Sequence, residues 1–147
     1  MDQNQIDERF MREALKEAQK AADKDEVPIG AIVVCQNQII ARAHNLTETL
    51  NDPTAHAEMQ AITSATNYLG GKYLEQCILY VTVEPCPMCA GALFWAQVGR
   101  LVYGSQDPKR GFSLYEKNIL HPKTIVTNGI LKDECSTLVS NFFIKKR

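Results

Sequence analysis

The sequence predicts an α/β fold with three layers, α/β/α, in which a mixed five-stranded sheet lies between helices. Helical apolar spacing alternates with short β-branched runs along the chain, which is typical of this class. The run at residues 77–83 consists almost entirely of β-formers, as expected for a central strand that is covered on both faces. A length of 147 residues fits one domain, residues 1–147, that can bury its own core.

The first third of the chain predicts a helix and a β-hairpin. Apolar side chains recur at helical spacing among charged ones over residues 5–23, and the Pro- and Gly-containing run at residues 27–30 ends this helix. Residues 31–35 and 39–43 are apolar and β-branched, and they flank a polar turn at residues 36–38. Two paired strands are therefore expected here.

The rest of the chain predicts three helices that alternate with three strands. The turn at residues 51–54 caps the next helix, and paired glycines end it. Two prolines close the central strand, and one glycine separates the third helix from the strand after it. The last helix shows a single apolar face, whereas residues 106–123 show no period and stay unassigned. The expected helices are residues 55–68, 88–97 and 132–145, and the further strands are residues 101–104 and 124–127, the last at a sheet edge.

Composition and charge exclude several classes of protein. With 45% hydrophobic and 22% charged residues, the chain is not expected to be disordered. A net charge of −1 gives no bulk attraction to nucleic acid. RNA binding would need local patches such as the basic end Lys145-Lys146-Arg147, which is equally a solvated helix end. The sequence has no secretory pattern, no membrane-spanning run and an odd number of cysteines, five, so we expect a cytoplasmic protein without a membrane partner.

Two short motifs carry the predicted chemistry, His56-Ala57-Glu58 and Pro85-Cys86-Pro87-Met88-Cys89. Both stand at the starts of predicted helices, where partial positive charge favours the thiolates that zinc binds. His56, Cys86 and Cys89 would be three ligands of one zinc ion, and a fourth position open to water is the mark of a catalytic site. Glu58 is the candidate proton shuttle. In a regular helix Glu58 and His56 would point about 200° apart, so both can serve one site only across the open helix end.

Two other interpretations of the cysteine pair stay open. A lone Cys-x-x-Cys can be half of a structural zinc site or a redox pair. The sequence offers no second Cys-x-x-Cys and no His-x3-His to complete four structural ligands, and His44 and His121 are its only other histidines. Cys35, Cys77 and Cys135 fall on apolar faces and are expected in the core.

These motifs resemble the cytidine-deaminase-like zinc superfamily and, within it, the family of bacterial tRNA-specific adenosine deaminases. The resemblance runs over nearly the whole chain and includes residues 27–31, 52–58, 79–86, 88–92, 98–104 and 133–135 and the Phe142-Phe143 ending. It departs after Gly111, where residues 112–117 replace the family's glycine- and serine-containing run. By the resemblance, this departing segment is expected near the substrate.

The resemblance implies a cytidine-deaminase-like fold and hydrolytic deamination of adenosine to inosine at the wobble position of a tRNA anticodon. It further implies a homodimer with one Zn²⁺ per subunit. Glu58 would move a proton from the zinc-activated water to the adenine ring and then to the leaving ammonia. Backbone N–H groups near Ala57 and Cys86 would donate hydrogen bonds that stabilise the charge that develops during the reaction.

The resemblance also implies substrate contacts from Asn45, Ala57, Glu84, Asp107, Lys109, Arg110, Phe142 and Phe143. Asn45 would hydrogen-bond the target nucleotide and Glu84 would orient the ligand loop, although a turn and a strand-end charge explain these two residues as well. The charged residues after the fourth predicted strand would face RNA or form a solvated loop. The two phenylalanines would stack on anticodon bases, or the first of them would anchor the last helix.

Two other functions compete with this one. A small-molecule deaminase of the same superfamily, acting on guanine or a nucleoside, would use the same zinc motif. The run at residues 98–100 and the Phe142-Phe143 ending with its basic tail count against it. A non-catalytic zinc module that binds RNA or a protein is the third candidate. Such a module gains nothing from a carboxylate beside an open zinc position, so Glu58 counts against it.

Overall fold

The computed structural model describes residues 1–146, and Arg147, the last residue of the basic end, lies outside the described residues. The helices are α1 (Gln3–Asp23), α2 (Ala57–Leu69), α3 (Pro87–Ala96) and α4 (Lys132–Lys145). The strands are β1 (Gly30–Cys35), β2 (Gln38–His44), β3 (Cys77–Val83), β4 (Arg100–Ser105) and β5 (Ile125–Asn128). Within residues 1–146, no helix combines the length and the apolar character that crossing a membrane requires.

The strands form one mixed, five-stranded sheet in the order β2-β1-β3-β4-β5. β1 pairs antiparallel with β2 and β3, whereas β4 lies parallel to β3 and β5. The hairpin turns at Gln36 and Asn37, which both adopt positive φ, as a two-residue turn matched to the strand twist requires. The predicted mixed sheet, with β3 at its centre and β5 at an edge, is confirmed.

Helices cover both faces of the sheet, which confirms the three predicted layers. Side chains alternate along a strand, so each strand feeds two cores. On β3, Leu79 and Val81 pack with α2 and α3, whereas Ile78 and Tyr80 pack with α1 and α4. The core beneath α2 and α3 is rich in alanine. Small side chains let these two helices lie close to the sheet, with their N-termini at the carboxyl end of β3.

The observed boundaries differ from the predicted ones by at most two residues, and capping explains the two differences that matter most. α1 begins earlier than predicted because Asp2 and Gln5 form a capping box. α2 begins at Ala57, later than predicted, because His56 is an N-cap with an extended backbone. The unassigned segment contains a 3₁₀ turn, Phe112–Leu114. Of the other cysteines expected in the core, two are buried and Cys35 is half-buried.

Gly30 allows α1 to pack directly on β1. A β-carbon at residue 30 would overlap the Ala14 carbonyl oxygen and the Ala18 amide nitrogen of the helix backbone. Because relief requires α1 to shift as a whole, Gly30→Ala is expected to lower the free energy of unfolding by about 1–3 kcal/mol. Denaturant unfolding measures the loss. Gly71→Ala is the matched control, since a β-carbon there meets nothing within 4 Å. Equal midpoints for the two variants would contradict this packing.

Asp7 ties α1 to the sheet through a buried ion pair with Arg100. The guanidinium donates to the two carboxylate oxygens at 2.8 and 2.6 Å, and Tyr80 and Gln3 donate to Oδ1 at 2.8 and 3.0 Å. Burial by itself raises the pKa of Asp7, but these hydrogen bonds outweigh it, so the pKa lies below the usual value of an aspartate. The carboxylate is therefore charged at neutral pH.

Asp7→Asn is expected to cost about 3–5 kcal/mol of stability at neutral pH, since it leaves the Arg100 charge buried without its partner. The lowered pKa means that the carboxylate stabilises the fold above about pH 3.9 and that this contribution is lost as pH falls through the folded-state pKa. The difference in free energy of unfolding between wild type and variant, measured with denaturant, should therefore shrink as the pH falls from about 7 to about 3. The control Asp25→Asn, at an exposed position, should stay within about 0.5 kcal/mol of wild type. A gap that persists unchanged in acid would contradict the assignment.

Candidate metal centre

Two helix N-termini meet at the carboxyl end of β3 and bring the three predicted zinc ligands together. His56 is the N-cap of α2, Cys86 is the N-cap of α3, and Cys89 lies in the first turn of α3. His56 Nδ1 lies 3.7 Å from Cys86 Sγ and 3.5 Å from Cys89 Sγ. The three ligand atoms all lie within 4.8 Å of one another.

These distances fit a tetrahedral zinc site. Zinc bonds of about 2.3 Å to sulfur and about 2.1 Å to nitrogen place these two atoms about 3.6 Å apart at the tetrahedral angle. The observed nitrogen-to-sulfur distances, 3.7 and 3.5 Å, bracket this value. Within residues 1–146, no fourth His, Cys, Asp or Glu joins the cluster. His56, Cys86 and Cys89 can therefore hold one zinc ion with one position left for water or substrate, which is a catalytic arrangement rather than a structural one.

The ionisation of the two cysteines also calls for a cation. A hydrogen bond from Cys89, followed by one from His56, lowers the pKa of Cys86 to about 4 against the opposing effect of burial. Interaction with Cys86, together with burial, raises the pKa of Cys89, because a second negative charge would lie beside the first. A divalent cation between the two sulfurs removes this repulsion, and its charge balances two thiolates.

Glu58 lies in the first turn of α2 and is buried beside the metal ligands. Burial raises the pKa of Glu58 to about 7, and its interactions with His56 and Cys89 oppose the rise. The angle of about 200° expected between Glu58 and His56 applies only where both residues are helical. Because His56 has an extended backbone, the two side chains can serve the same site. A carboxyl group that titrates near neutral pH can both accept and return a proton.

Asn45 and Ala57 stand at the two ends of the loop between β2 and α2. The Asn45 side chain accepts a hydrogen bond from the Thr47 amide at 3.2 Å and donates to the Val27 carbonyl at 3.4 Å, so it closes the turn after β2. Its contact with a nucleotide stays a prediction. Ala57 is the first residue of α2, and first-turn N–H groups have no partner within their helix.

Glu84 anchors the loop that follows β4. Its carboxylate is buried, and it accepts hydrogen bonds from the Asp107 amide at 3.1 Å and from the Ser113 amide at 2.9 Å. Glu84, at the end of β3, therefore holds a loop beside the metal ligands. A direct contact between Glu84 and substrate stays a prediction.

The segment that departs from the family pattern braces the turn that carries Cys86. The Phe112 amide donates to the Pro85 carbonyl at 3.0 Å, and the buried Phe112 ring packs edge-on against Tyr103 at 6.0 Å. At Gly111 a β-carbon would overlap the Glu84 carboxylate, so a larger residue here would displace that carboxylate from the amides it holds. These contacts join the loop to β3 and to the metal-binding turn, which are distant in the sequence. They therefore leave no periodic pattern of apolar residues that sequence analysis could detect.

The remaining predicted contacts, except Phe142, come together at one cavity of about 410 Å³. Asp107, Lys109, Arg110 and Phe143 line it. The Asp107 carboxylate accepts the amides of Lys109 and Arg110 at 3.0 Å each and so shapes the turn, while the two basic side chains are exposed. Phe142 is half-buried and lines the neighbouring grooves instead. Glu26, a fully buried carboxylate that holds the loop after β2, belongs to no motif that marks it in the sequence.

The chain is similar to known zinc-dependent enzymes over most of its length. Residues 4–105, which contain the three ligands and Glu58, match the cytidine and deoxycytidylate deaminase zinc-binding region. A tRNA-specific adenosine deaminase of Bacillus subtilis is 49% identical over 147 residues, which cover 96% of this chain and 91% of the relative.

Two solved structures give the same picture of the fold. One, from studies of A-to-I editing by tRNA:A34 deaminases at the wobble position of transfer RNA, superposes with a TM-score of 0.83 and 43% identity. It covers 88% of this chain and 98% of that one. A guanine deaminase of Bacillus subtilis superposes with a TM-score of 0.65 and 40% identity, covering 72% of this chain and 66% of that one.

Proposed function

The chain belongs to the cytidine and deoxycytidylate deaminase family, and from this premise we propose that it deaminates adenosine to inosine at the wobble position of a tRNA anticodon. The observation that carries the proposal is the cluster of His56, Cys86 and Cys89 with the buried Glu58 beside it. The choice of substrate rests on the tRNA-specific relative, which matches almost the whole chain at 49% identity.

The reaction replaces the exocyclic amino group of adenine with an oxygen from water and releases ammonia. Zinc held by His56, Cys86 and Cys89 supplies the Lewis-acid chemistry that makes water nucleophilic at neutral pH. Glu58 accepts a proton from the water as its oxygen bonds to C6, and delivers that proton to N1. Glu58 then carries the remaining hydroxyl proton to the amino nitrogen. The bond between C6 and nitrogen breaks, ammonia leaves, and the C6 carbonyl of inosine forms.

The ends of the two helices support this chemistry. The N-termini of α2 and α3 carry partial positive charge, and their first-turn N–H groups, beginning at Ala57 in α2, are donors for negative charge that develops on oxygen. Asn45 would hydrogen-bond the target nucleotide from the end of β2. These backbone donors are in place before substrate arrives, so the reaction need not reorganise them.

The anticodon loop would bind along the cavity lined by Asp107, Lys109, Arg110 and Phe143. Proteins read single-stranded RNA by stacking bases on aromatic side chains and pairing phosphates with cations, and this cavity offers both. With a net charge of −1 on the whole chain, binding depends on this local patch. Phe142, the preceding residue of α4, would extend the stacking surface, since its ring lies 5.3 Å from that of Phe143.

A homodimer with one zinc ion per subunit is part of the proposal. Large apolar side chains are exposed on α2 and α3, among them Trp95 at 77% and Tyr68 at 67%. A second copy of the chain that covered such side chains would remove their apolar area from water. We also place the enzyme in the cytoplasm, since its five cysteines are free thiols and the site needs reduced Cys86 and Cys89.

A paired assay on the zinc-loaded protein tests the proposal. One arm incubates an anticodon stem-loop with adenosine at the wobble position and reads inosine by sequencing, with a stem-loop lacking that adenosine as control. The other arm measures ammonia released from guanine, adenosine and cytidine. We expect inosine in the RNA and no ammonia from the free compounds. Ammonia from guanine with unedited RNA would favour the second candidate, a guanine deaminase, which the 40% identity to that enzyme supports.

A further inference from the structure

A fully buried carboxylate, Glu26, holds the loop that follows β2. Glu26 lies between α1 and β1, and its side chain is 0% exposed. Its Oε1 accepts the Glu48 amide at 3.0 Å, and its Oε2 accepts both the Thr49 amide and the Thr49 hydroxyl at 2.6 Å. Both oxygens are therefore committed to two adjacent residues that lie 22 and 23 positions further along the chain.

In the described part of the chain no salt bridge accompanies the buried Glu26 charge, although His44 interacts with it electrostatically. Within residues 1–146, the ion pairs of the structure do not include Glu26. Burial by itself raises the pKa of Glu26, but the hydrogen bonds from Thr49 and Glu48 outweigh it, so the pKa lies below the usual value of a glutamate. An apolar residue would fill this space without the desolvation cost of a charge. The carboxylate therefore serves to hold the loop rather than to fill the core.

The held segment forms one wall of a groove that adjoins the cavity of about 410 Å³. Thr47, Glu48 and Thr49 line this groove together with Val27, Phe142, Phe143, Lys24, and the ion pair of Lys146 with Asp25. Phe143 also lines the cavity that holds the other predicted RNA contacts, so the groove continues that surface. Cations next to aromatic rings are the chemistry that binds single-stranded RNA. The same loop begins at Asn45 and ends at the metal ligand His56.

We propose that Glu26 is a positioning residue for the RNA substrate. By fixing Glu48 and Thr49 it keeps the groove wall ordered before RNA binds, so binding does not have to order the loop. Glu84 holds the loop after β4 in the same way, with a buried carboxylate that accepts two backbone amides. This inference rests on the proposed function, since it takes RNA as the occupant of the groove.

Glu26→Gln tests the inference, because glutamine has one acceptor oxygen and turns an NH₂ group towards a donor amide. In the zinc-loaded protein, KM for the anticodon stem-loop should rise about tenfold while kcat stays within about twofold. Hydrogen exchange at the Glu48 and Thr49 amides should be at least about tenfold faster, since these amides lose their acceptor. Thr49→Val removes only the hydroxyl donor, preserves the fold, and should raise KM by a smaller factor.

The matched control is Asp7→Asn, which removes a different buried carboxylate that holds α1 against β4. It should lower the thermal midpoint and leave KM unchanged, which separates positioning from a general loss of stability. An unshifted KM in both Glu26→Gln and Thr49→Val, with RNA editing by wild type, would overturn the inference alone. A fall in kcat at constant KM would also overturn it. If the wild-type protein edits no stem-loop, the proposed function and this inference are both contradicted.

Discussion

Glu58→Gln is expected to lower kcat by about a thousandfold while each chain keeps its zinc ion. Glutamine matches the size of glutamate and can hydrogen-bond, but it cannot accept the proton from water or deliver it to the ring. Because Glu58 is not one of the three clustered ligand residues, its replacement should leave the metal in place. Single-turnover rates on the anticodon stem-loop measure the loss of activity, and metal analysis of the same preparation measures the zinc content.

The exposed Glu75 supplies the control, since Glu75→Gln changes the same chemical group away from the site and should leave kcat unchanged. The Glu58 variant should also bind the stem-loop with the affinity of wild type, because its carboxylate acts on protons rather than on RNA. Loss of zinc from this variant would show that Glu58 holds the metal instead of moving protons. Retained activity with full zinc would point to a different base.

Cys86→Ser is expected to bind zinc at least about a hundredfold more weakly, because changes even to groups outside the ligands weaken zinc binding by up to about this factor. Activity should fall with the metal content. Cys86 is the thiol whose pKa the site lowers to about 4, so it is the sulfur poised to bind a cation at neutral pH. Treatment of wild type with a zinc chelator should reproduce the loss, and added zinc should restore wild type but not the variant.

Cys35→Ala is the matched control for this loss. Cys35 is a free, half-buried cysteine at the end of β1, and its removal should leave one zinc ion per chain. A thermal midpoint measured with and without chelator adds an independent test, since a bound metal stabilises the folded state only where its ligands are intact. The chelator should therefore lower the midpoint of wild type and of Cys35→Ala but not that of Cys86→Ser. A Cys86→Ser protein with full zinc would reject the ligand set.

Local signals in the sequence were enough to predict the order and type of the helices and strands. The periods of apolar residues and the Pro and Gly boundaries act within a few residues, so the predicted ends fall within two residues of the observed ones. The longest segment without a predicted secondary structure was residues 106–123. It is held by Glu84 and by the Pro85 carbonyl, which are remote in sequence and leave no local period.

The sequence by itself determined the candidate chemistry of this protein. His56, Glu58, Cys86 and Cys89 lie at helix starts, which short stretches of sequence mark. Their spacing therefore predicts the ligands and the proton carrier, and the structure brings the three ligands together. The tertiary structure alone decided how the site is held together. Glu26 belongs to no motif in the sequence, and Glu84 was expected only from the family resemblance. The fold buries both carboxylates against loop amides more than twenty residues away, and no local pattern marks those hydrogen bonds. The physical reason is that burial strengthens such hydrogen bonds, and burial belongs to the packed fold rather than to any local segment.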